Sequence, residues 1–460
     1  MRFDQLTVMT GGTLYNSDRA EQMFTGVSID SRTLESGQLF IALRGVRHDG
    51  HDFISQAVAK GAGGVMVEFS YPQLNRIRSD VAVVAVEDSH QAMIRLAREY
   101  RQSGRARFVA ITGSNGKTTT KELSFHLLNA VTAGVYRSSG NLNNLYGAPL
   151  ALLAMPRETQ MAVMELGIST PGEMTSLAAI VEPDVIVITN VGPSHLEFLD
   201  SVESVARAKL ELVQAAADTV PVIVNADDRI LIEQVRRLRS NLTTFAIDGQ
   251  ADFRPQSFTT EDGGTRVTID GDSFHLPLRG RHQVYNLLAA YAAVRVLGFD
   301  FDGVDTGSLT LTTMPMRGQL VTRGGITFYA DCYNANPDSV KAAVETFFEI
   351  PCGGRRIVVM GDMLELGTAG AAYHREIGRL LARHDFALAV FVGPLSRQTM
   401  QEVLAAGVSP EVVRHYHNAG EAAAAVPACL SPGDMVLVKA SRGIGLEAVI
   451  AAVNDSGEVS

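Results

Sequence analysis

The stretch FVAITGSNGKTTTKEL, residues 108–123, decides the fold because it joins a strand, a tight glycine turn and a helix start. Its first four residues are apolar, and three of its first five are β-branched, which is typical of a buried strand. A helix is predicted to begin near Lys117. A strand that enters a helix through a glycine turn is typical of parallel α/β sheets. We therefore expect the ligands of this domain to bind at the carboxyl ends of its strands.

The glycine turn itself predicts a phosphate site. It departs from the usual G-x-x-x-x-G-K-[ST] pattern, because the first position of that pattern is Ile111. Glycines still let backbone N–H groups face an anion, and a helix N-terminus adds positive potential. Lys117 can reach outer phosphates and Thr118 can bind Mg²⁺; the alternative is an ordinary turn with a solvated lysine. The predicted ATP-binding residues of the loop are Gly113, Ser114, Asn115, Gly116, Lys117, Thr118 and Thr119.

Two strand ends add candidate metal ligands. Glu165 ends the apolar run MAVMEL, and His195 follows the next strand in TNVGPSHLEF. Carboxyl ends of parallel strands meet at one edge of a sheet, so both side chains are predicted near the phosphate loop. A carboxylate and an imidazole there can hold a divalent ion. Singly, each is equally explained as a hydrogen-bonded loop residue.

Lys209 lies within an apolar helical stripe, three residues after Ala206 and four after Val205. A lysine on such a face must pair, lose its charge or extend its ammonium to water along its apolar stem. The last behaviour is common and is the plainest explanation of this pattern.

Length and patterning predict three α/β domains. At about 150 residues per domain, 460 residues correspond to roughly three. We expect a small N-terminal α/β domain at 1–88, a central P-loop-type ATPase domain with a mostly parallel sheet at 89–316, and a C-terminal Rossmann-like domain at 317–460. Ser89 is the expected N-cap of the helix that opens the second domain. Hairpins are expected around Asp262-Gly263-Gly264 and Asp270-Gly271.

Bulk properties exclude several classes of protein. The net charge of −10 disfavours non-specific binding to nucleic acid. Three scattered cysteines indicate free thiols in a reducing compartment. Neither a secretory signal nor a run of 18 apolar residues is found, so we expect a cytoplasmic protein with no membrane insertion.

Several long motifs resemble the Mur ligases, which use ATP to activate a carboxylate and join it to an amine. TGSNGKTTTKE, the strand-end Glu165, TNVGPSH and ARAKLE carry this resemblance. SIDSRTLESGQLFIALRGVRHDGHDF, residues 28–53, is similar to the UDP-sugar-binding domain of the members that add the third residue and the terminal dipeptide. GNLNNLYGAPLALL, DCYNANPDS and GDMLELG resemble the dipeptide-adding member. The resemblance covers nearly the whole chain, with two departures, at His282-Gln283 and at Cys332.

The resemblance implies a cytoplasmic monomer that joins D-alanyl-D-alanine to UDP-N-acetylmuramoyl-tripeptide in peptidoglycan precursor synthesis, through an acyl-phosphate. ATP and two Mg²⁺ ions are the implied cofactors, and Lys209 is implied to be carbamylated and to help hold metal. The implied UDP-substrate residues are Ser28, Ser31, Arg32, Gly45, His51, Asn143 and Asn144. Further nucleotide contacts are implied for Asn286, Arg317 and Asp331. The implied amine-substrate residues are Tyr333, Asn334, Asn336, Asp362, Glu365, His374, Lys439, Ser441 and Arg442.

Each residue also has a structural interpretation, since asparagines and serines cluster in turns and Asn286 is equally a satisfied core amide. Two other functions stay open. One is another Mur ligase or a folylpolyglutamate-type amide ligase, although a folate enzyme has no need of the UDP-type segment. The other, from a different class, is an ATP-binding regulatory module that uses nucleotide turnover as a switch.

Overall fold

The computed structural model describes residues 1–15, 17–45, 48–77, 81–261, 263–312 and 314–454. Short strands with apolar residues on both faces build the N-terminal sheet, of order β1-β5-β4-β3-β2. β1 is antiparallel to β5, and the other pairings are parallel. Leu39 and Ile41 pack into one core and Phe40 into another, as the two-residue period of a strand requires. The elements are β1 Thr13–Leu14, β2 Val27–Ser28, β3 Leu39–Ile41, β4 Gly64–Glu68, β5 Ala82–Val86, α1 Phe3–Thr10 and α2 Ile54–Ala59.

The next helix, α3 (Ser89–Gln102), packs onto the N-terminal sheet. Its residues Ala92 and Leu96 share a core cluster with Phe3 of α1. The N-cap is Asp88, whose carboxylate accepts a hydrogen bond from the Gln91 backbone, so the prediction of Ser89 as N-cap was wrong. Both residue types cap helices well, and Asp88 is the one with extended backbone geometry. The domain boundary at 88/89 stays a prediction.

The middle region contains a six-stranded sheet of order β11-β10-β9-β6-β8-β7. The pairings β7 with β8, β9 with β10, and β10 with β11 are parallel. Strands β8, β9 and β10 are buried along their whole length, as expected of a sheet covered on both faces. The strands are β6 Arg107–Thr112, β7 Val135–Arg137, β8 Met161–Glu165, β9 Val185–Ile188, β10 Val222–Asn225 and β11 Thr243–Phe245. The helices are α4 Lys117–Val131, α5 Gly147–Leu153, α6 Glu173–Val181, α7 Leu196–Leu199, α8 Val202–Ala215 and α9 Arg229–Val235.

A three-stranded antiparallel sheet follows: β12 (Ser257–Glu261), β13 (Gly264–Ile269) and β14 (Asp272–Leu276). Asp270 and Gly271 both have positive φ, which gives the tight hairpin expected there. Asp262, part of the other predicted hairpin, lies outside the described residues. The buried helix α10 (Arg281–Val296) closes the region.

The C-terminal region is a Rossmann-like sheet of order β15-β16-β20-β17-β18-β19, antiparallel only at its β15 edge. One core lies under strands β16, β17, β18 and β20. The strands are β15 Gln319–Arg323, β16 Ile326–Ala330, β17 Arg356–Gly361, β18 Leu388–Val392, β19 Val413–Tyr416 and β20 Met435–Lys439. The helices are α11 Pro337–Glu349, α12 Gly370–Leu381, α13 Ser396–Ala405, α14 Ala419–Ala425 and α15 Glu447–Ala451. The predicted α/β class, with a parallel middle sheet and a Rossmann-like C-terminal sheet, is confirmed.

Contact density divides the chain into two compact units. The first is Met1–Ala110, Ala133–Gly167 and Glu173–Asp184; the second is Ile111–Thr132, Ile168–Gly172 and Val185–Ser460. Within the part of the chain that the structure describes, no helix is both long enough and apolar enough to cross a membrane. Cys332, Cys352 and Cys429 are free thiols.

Candidate active site

The phosphate loop lies between the end of β6 at Thr112 and the start of α4 at Lys117. Gly113 and Gly116 both have positive φ, at 149° and 81°. A Cβ at Gly113 would overlap the Thr189 hydroxyl oxygen, and a Cβ at Gly116 would overlap the side-chain oxygen of Asn286. Both positions therefore require glycine, and the loop leads directly into the N-terminus of α4, the end of a helix that favours an anion.

A second loop, after β9, holds the phosphate loop in shape. The Ser114 backbone N–H donates to the Asn190 carbonyl oxygen over 2.9 Å, and the Asn115 N–H donates to Asn190 Oδ1 over 2.9 Å. Thr189 Oγ1 donates to the Asn115 carbonyl oxygen over 2.6 Å, and Ser194 Oγ donates to Ser114 Oγ over 3.0 Å. We did not single out Thr189, Asn190 or Ser194 from the sequence. Their signal was their place at a strand end in TNVGPSH.

Lys117 is bound to its own loop. Its ammonium donates to the carbonyl oxygen of Gly113 over 2.8 Å and to that of Ser114 over 3.5 Å. Thr118, next to it, is buried. A lysine held across the mouth of a glycine loop is not the solvated side chain of an ordinary turn, and it is well placed to meet an anion there.

Lys209 on α8 is fully buried, with 1% of its surface exposed. It therefore does not extend its ammonium to water. Burial, together with the positive charge of Lys117, lowers the pKa of Lys209 well below its ordinary value. A neutral amine at this position is thus favoured, beside the lysine of the phosphate loop.

In the first unit, Glu165 at the end of β8 is buried and is joined to a predicted substrate residue. Asn143 Nδ2 donates to Glu165 Oε1 over 2.8 Å, and the Gly167 N–H donates to the Asn143 carbonyl oxygen over 2.8 Å. Asn144 instead accepts the Gly147 N–H at the start of α5, over 2.9 Å. Asn143 is thus placed at the carboxylate, whereas Asn144 has a local structural partner.

His195 lies within ion-pair distance of the C-terminal region. Its Nδ1 is 2.6 Å from Glu365 Oε2, and the His195 side chain is 24% exposed. Nδ1 is buried, and within the described part of the chain it has no well-directed hydrogen bond; the Glu365 carboxylate is close to it but approaches obliquely. The imidazole holds the pKa of Glu365 below its usual value. Among the described residues, no group of three or more His, Cys, Asp or Glu side chains forms a metal cluster by itself.

A cavity of about 70 Å³ lies beside the phosphate loop. Within it, Asn286 donates to Gln283 over 2.9 Å and accepts from Thr120 over 3.4 Å, so it is a satisfied amide that also borders the cavity. Burial lowers the pKa of His282 to about 4, so this ring is neutral at pH 7. The lining residues are Asn115, Gly116, Asn190, Asn225, His282, Tyr285 and Asn286. A larger surface cavity of about 400 Å³, between α8 and α9, contains none of the predicted site residues.

Asn225, His282 and Tyr285 of this lining were not among the predicted residues. Asn225 ends strand β10, which was a usable signal, whereas His282 and Tyr285 reach the cavity from the first two turns of α10.

Two loops of the C-terminal region gather predicted ATP and amine residues. Lys439 is buried, pairs with Asp331 at 2.6 Å and donates to the Asn334 carbonyl oxygen over 2.8 Å. The guanidinium carbon of Arg317 lies 4.1 Å from the ring centre of Tyr333, and that of Arg442 lies 5.5 Å from it. These residues do lie together, and their contacts with one another give them a structural role at the least.

Asn336 reaches the phosphate loop instead of open solvent. Its Nδ2 donates to Asn115 Oδ1 over 2.8 Å, while its Oδ1 caps α11 by accepting the Ser339 N–H over 2.9 Å. The C-terminal region therefore contacts the phosphate loop directly. Sequence spacing gave no sign of this contact, because 221 residues separate the partners.

Asp362, His374 and Ser441 serve as internal supports. The Asp362 carboxylate accepts the backbone N–H groups of Leu395 (3.2 Å) and Ser396 (2.7 Å) at the start of α13. The buried His374 accepts the Met363 N–H over 3.1 Å, and burial lowers its pKa. Ser441 Oγ accepts the Leu364 N–H over 2.9 Å. The first contacts of these three side chains are with protein, and a role toward an amine substrate stays a prediction.

The predicted UDP residues form two local clusters in the first unit. Arg32 is exposed and pairs with Asp30 at 2.7 Å, which lowers the pKa of Asp30 to about 2. Ser31 donates to Gln56 over 2.8 Å, and Ser28 hydrogen-bonds with the Asp30 backbone.

His51 is buried; its Nδ1 is 2.6 Å from Asp49 and its Nε2 accepts the Glu68 N–H over 3.1 Å. The Gly45 N–H donates to the His48 carbonyl oxygen over 2.9 Å. The exposed Arg32 is thus better placed to meet a ligand than His51, both of whose ring nitrogens already have partners. Val46 and Arg47, between these residues, lie outside the described part of the chain.

Protein-family models match all three regions. A model described as the Mur ligase middle domain matches residues 111–294. The Mur ligase glutamate ligase domain matches 316–442, and the catalytic domain of the Mur ligase family matches 23–101. The matches follow the three predicted regions without fixing their boundaries.

Relatives match over nearly their whole length. The UDP-N-acetylmuramoyl-tripeptide–D-alanyl-D-alanine ligase of Bacillus subtilis strain 168 is 35% identical over 445 residues, which is 96% of each chain. That of Escherichia coli strain K12 is 32% identical over 98% of each chain. The solved structure of MurF from Acinetobacter baumannii superposes with a TM-score of 0.85 at 29% identity over 98% of each chain. MurF from Thermotoga maritima, in complex with ADP, gives 0.78 at 28% identity, covering 93% of this chain and 96% of that one. With matches in all three of its regions, this chain belongs to the Mur ligase family.

Proposed function

We propose that the chain uses ATP to join D-alanyl-D-alanine to UDP-N-acetylmuramoyl-tripeptide, a step of peptidoglycan precursor synthesis. The observation that carries the proposal is similarity across 96% or more of both chains to relatives named for this reaction. Such coverage includes all three regions, which matters because the resemblance implies a different substrate for each: the UDP end for the N-terminal region, ATP for the middle region and the dipeptide for the C-terminal region. A relative with ADP bound supports the use of an adenine nucleotide.

The chemistry begins from an unreactive carboxylate. Transfer of the γ-phosphoryl group to it gives an acyl-phosphate, the free amine of the dipeptide attacks the carbonyl carbon, and phosphate leaves from the tetrahedral intermediate. The protein contributes mainly position and charge in such transfers. Lys117 lies at the loop that would receive the phosphates, and its charge would offset the charge of the transferring group.

The donor set fits a magnesium ion that is bound largely through phosphates. Thr118, Glu165 and His195 offer a hydroxyl, a carboxylate and an imidazole, and Mg²⁺ typically takes few protein ligands beside phosphates and water. When bound, the ion would neutralise charge on the phosphoryl oxygens. These three side chains would hold it, and a carbamylated Lys209 would supply further oxygens for a second ion.

Burial supports carbamylation of Lys209. CO₂ adds to a neutral amine, and the lowered pKa of Lys209 favours that form. The amine nitrogen attacks the carbon of CO₂ and loses a proton, which leaves an anionic carbamate. The carbamate is attracted to the positive charge of Lys117, whereas a protonated Lys209 would be repelled by it, so the same neighbour that disfavours the ammonium favours the modified form.

The remaining substrates are assigned by region. We propose that the N-terminal residues around Arg32 bind the UDP end, and that the loops around Tyr333 and Arg442 bind the dipeptide. The cavity beside Gly116 is proposed to receive part of the nucleotide. The reaction would take place in the cytoplasm, with the chain acting as a monomer.

Phosphate release tests the function against its alternatives. With ATP alone the ligase should be nearly silent, and it should turn over once both UDP-N-acetylmuramoyl-tripeptide and D-alanyl-D-alanine are present. Mass spectrometry should then find the tripeptide extended by one dipeptide. D-alanine, lysine and glutamate serve as competing amines.

Efficient use of a single amino acid would move the chain to another amide ligase of the family. Steady ATP turnover without any acceptor would instead favour a regulatory ATPase.

A further inference from the structure

His195 and Glu365 face each other in an unusual backbone setting. Both are non-glycine residues with positive φ, at 54° and 62°, a conformation that L-residues rarely adopt. Their side chains meet at 2.6 Å. The backbones also meet, since the Glu197 N–H donates to the Glu365 carbonyl oxygen over 3.1 Å. Strained backbone conformations persist only where the surrounding structure stabilises them, and here the two loops contact each other through both side chains and backbone.

Hydrogen bonds of the two preceding residues fix the loop that carries Glu365. Its preceding residues Met363 and Leu364 donate their backbone N–H groups to His374 and Ser441 over 3.1 and 2.9 Å. The next residue, Leu366, is buried. The carboxylate is thus presented to His195 by a loop with supports on both sides, the arrangement that a precise orientation requires.

The contact with Glu365 affects which ring nitrogen of His195 carries the proton. A carboxylate at Nδ1 favours the proton on that nitrogen and leaves the lone pair of Nε2 free to bind a metal. Among the residues that the structure describes, the buried Nδ1 makes no well-directed hydrogen bond, and the Glu365 carboxylate lies 2.6 Å from it.

We propose that Glu365 is a positioning residue, which orients His195 and fixes its tautomer for the divalent ion that accompanies ATP. The proposal rests on the proposed function for the identity of that ion. It also means that the C-terminal region, which is proposed to bind the amine, completes the metal site of the middle region. Metal binding and amine binding are then linked through one side-chain pair.

The substitution Glu365→Gly separates position from stability. Glycine adopts a φ of 62° without strain, so the variant should unfold no earlier than wild type while losing the carboxylate. Glu365→Gln retains an oxygen that accepts from Nδ1–H and is the conservative variant. Glu402→Ala is the matched control, because it removes a partly buried carboxylate of the same region, which pairs with the exposed Arg379 at 2.9 Å.

Two measurements on the full-length, ¹⁵N-histidine-labelled protein decide the matter. The first is the tautomer of His195 by nitrogen NMR without ligands, with the signal assigned by its loss in His195→Gln. The second is Mn²⁺ affinity in the presence of ADP, by electron paramagnetic resonance. Wild type, Glu365→Gln and Glu402→Ala should keep the proton on Nδ1 and bind Mn²⁺ similarly. Glu365→Gly should lose the Nδ1–H preference and bind Mn²⁺ roughly 10- to 100-fold more weakly.

An unchanged tautomer in Glu365→Gly, or an unchanged Mn²⁺ affinity, overturns the proposal, as does equal weakening in Glu402→Ala. Product formation by wild type in the same preparation tests the proposed function separately. Absence of ligation with a normal tautomer and normal Mn²⁺ binding would sink the ligase assignment and leave the positioning role of Glu365 intact.

Discussion

The substitution Gly116→Ala tests how the phosphate loop is built. An alanine there meets two costs: a positive φ of 81°, and overlap of its Cβ with Asn286. The first costs about 1–2 kcal/mol. The second forces the Asn286 amide away from Gln283 and Thr120, and the loss of two hydrogen bonds costs about 2 kcal/mol more.

The control is Gly303→Ala. Gly303 has a similar φ of 77°, but a Cβ there meets no heavy atom of the described residues within 4 Å. The two variants therefore share the backbone cost and differ in the collision. We expect ADP to bind only the loop shape in which this collision occurs, so binding must supply the extra cost of about 2 kcal/mol. The dissociation constant for ADP then rises by roughly 30-fold in Gly116→Ala and stays unchanged in Gly303→Ala.

Isothermal titration calorimetry with ADP measures this difference, with thermal unfolding recorded alongside. Both alanine variants should show a small drop in melting temperature. Equal ADP affinity in Gly116→Ala and wild type would refute the reasoning, since it would mean that the loop avoids Asn286 at no cost. Equal loss in both variants would show that backbone strain alone is responsible.

Three further outcomes are expected. Lys117→Ala should reduce kcat by about 10²- to 10³-fold with an unchanged fold by circular dichroism. Lys341→Ala, which removes a partly exposed ion pair with Glu376, should leave kcat unchanged. A residual rate above a tenth of wild type in Lys117→Ala would contradict the role of Lys117. Lys209→Ala should be nearly inactive and partly restored by added acetate or formate, while the exposed neighbour Arg207→Ala keeps its rate; a normal rate in Lys209→Ala argues against the carbamate. Asn336→Asp keeps the cap of α11 but cannot donate to Asn115, so KM for ATP should rise about 5-fold at constant melting temperature, and an unchanged KM would show that this contact is incidental.

Local chemistry explains what could be predicted. The strand, glycine turn and helix at 108–123 lie within one continuous segment, so propensity and pattern were sufficient to place Gly116 and Lys117. The apolar stripe likewise placed Lys209 on a buried face, but spacing alone did not distinguish full burial from an ammonium that reaches water. That distinction depends on what packs over the end of the side chain.

The sequence alone determined the α/β class, the glycine turn before α4, the place of Glu165 at the end of β8 and that of His195 in the loop after β9, because each depends on neighbours a few residues away. Tertiary structure decided the pairings: Asn336 with Asn115, Glu365 with His195, and Lys439 with Asp331. Each of these joins residues more than 100 positions apart, and no local propensity records which distant loop will arrive at a given strand edge. The resemblance therefore implied an amine-binding role for Glu365 and Asn336, while the folded chain pairs them with His195 and with Asn115 of the phosphate loop.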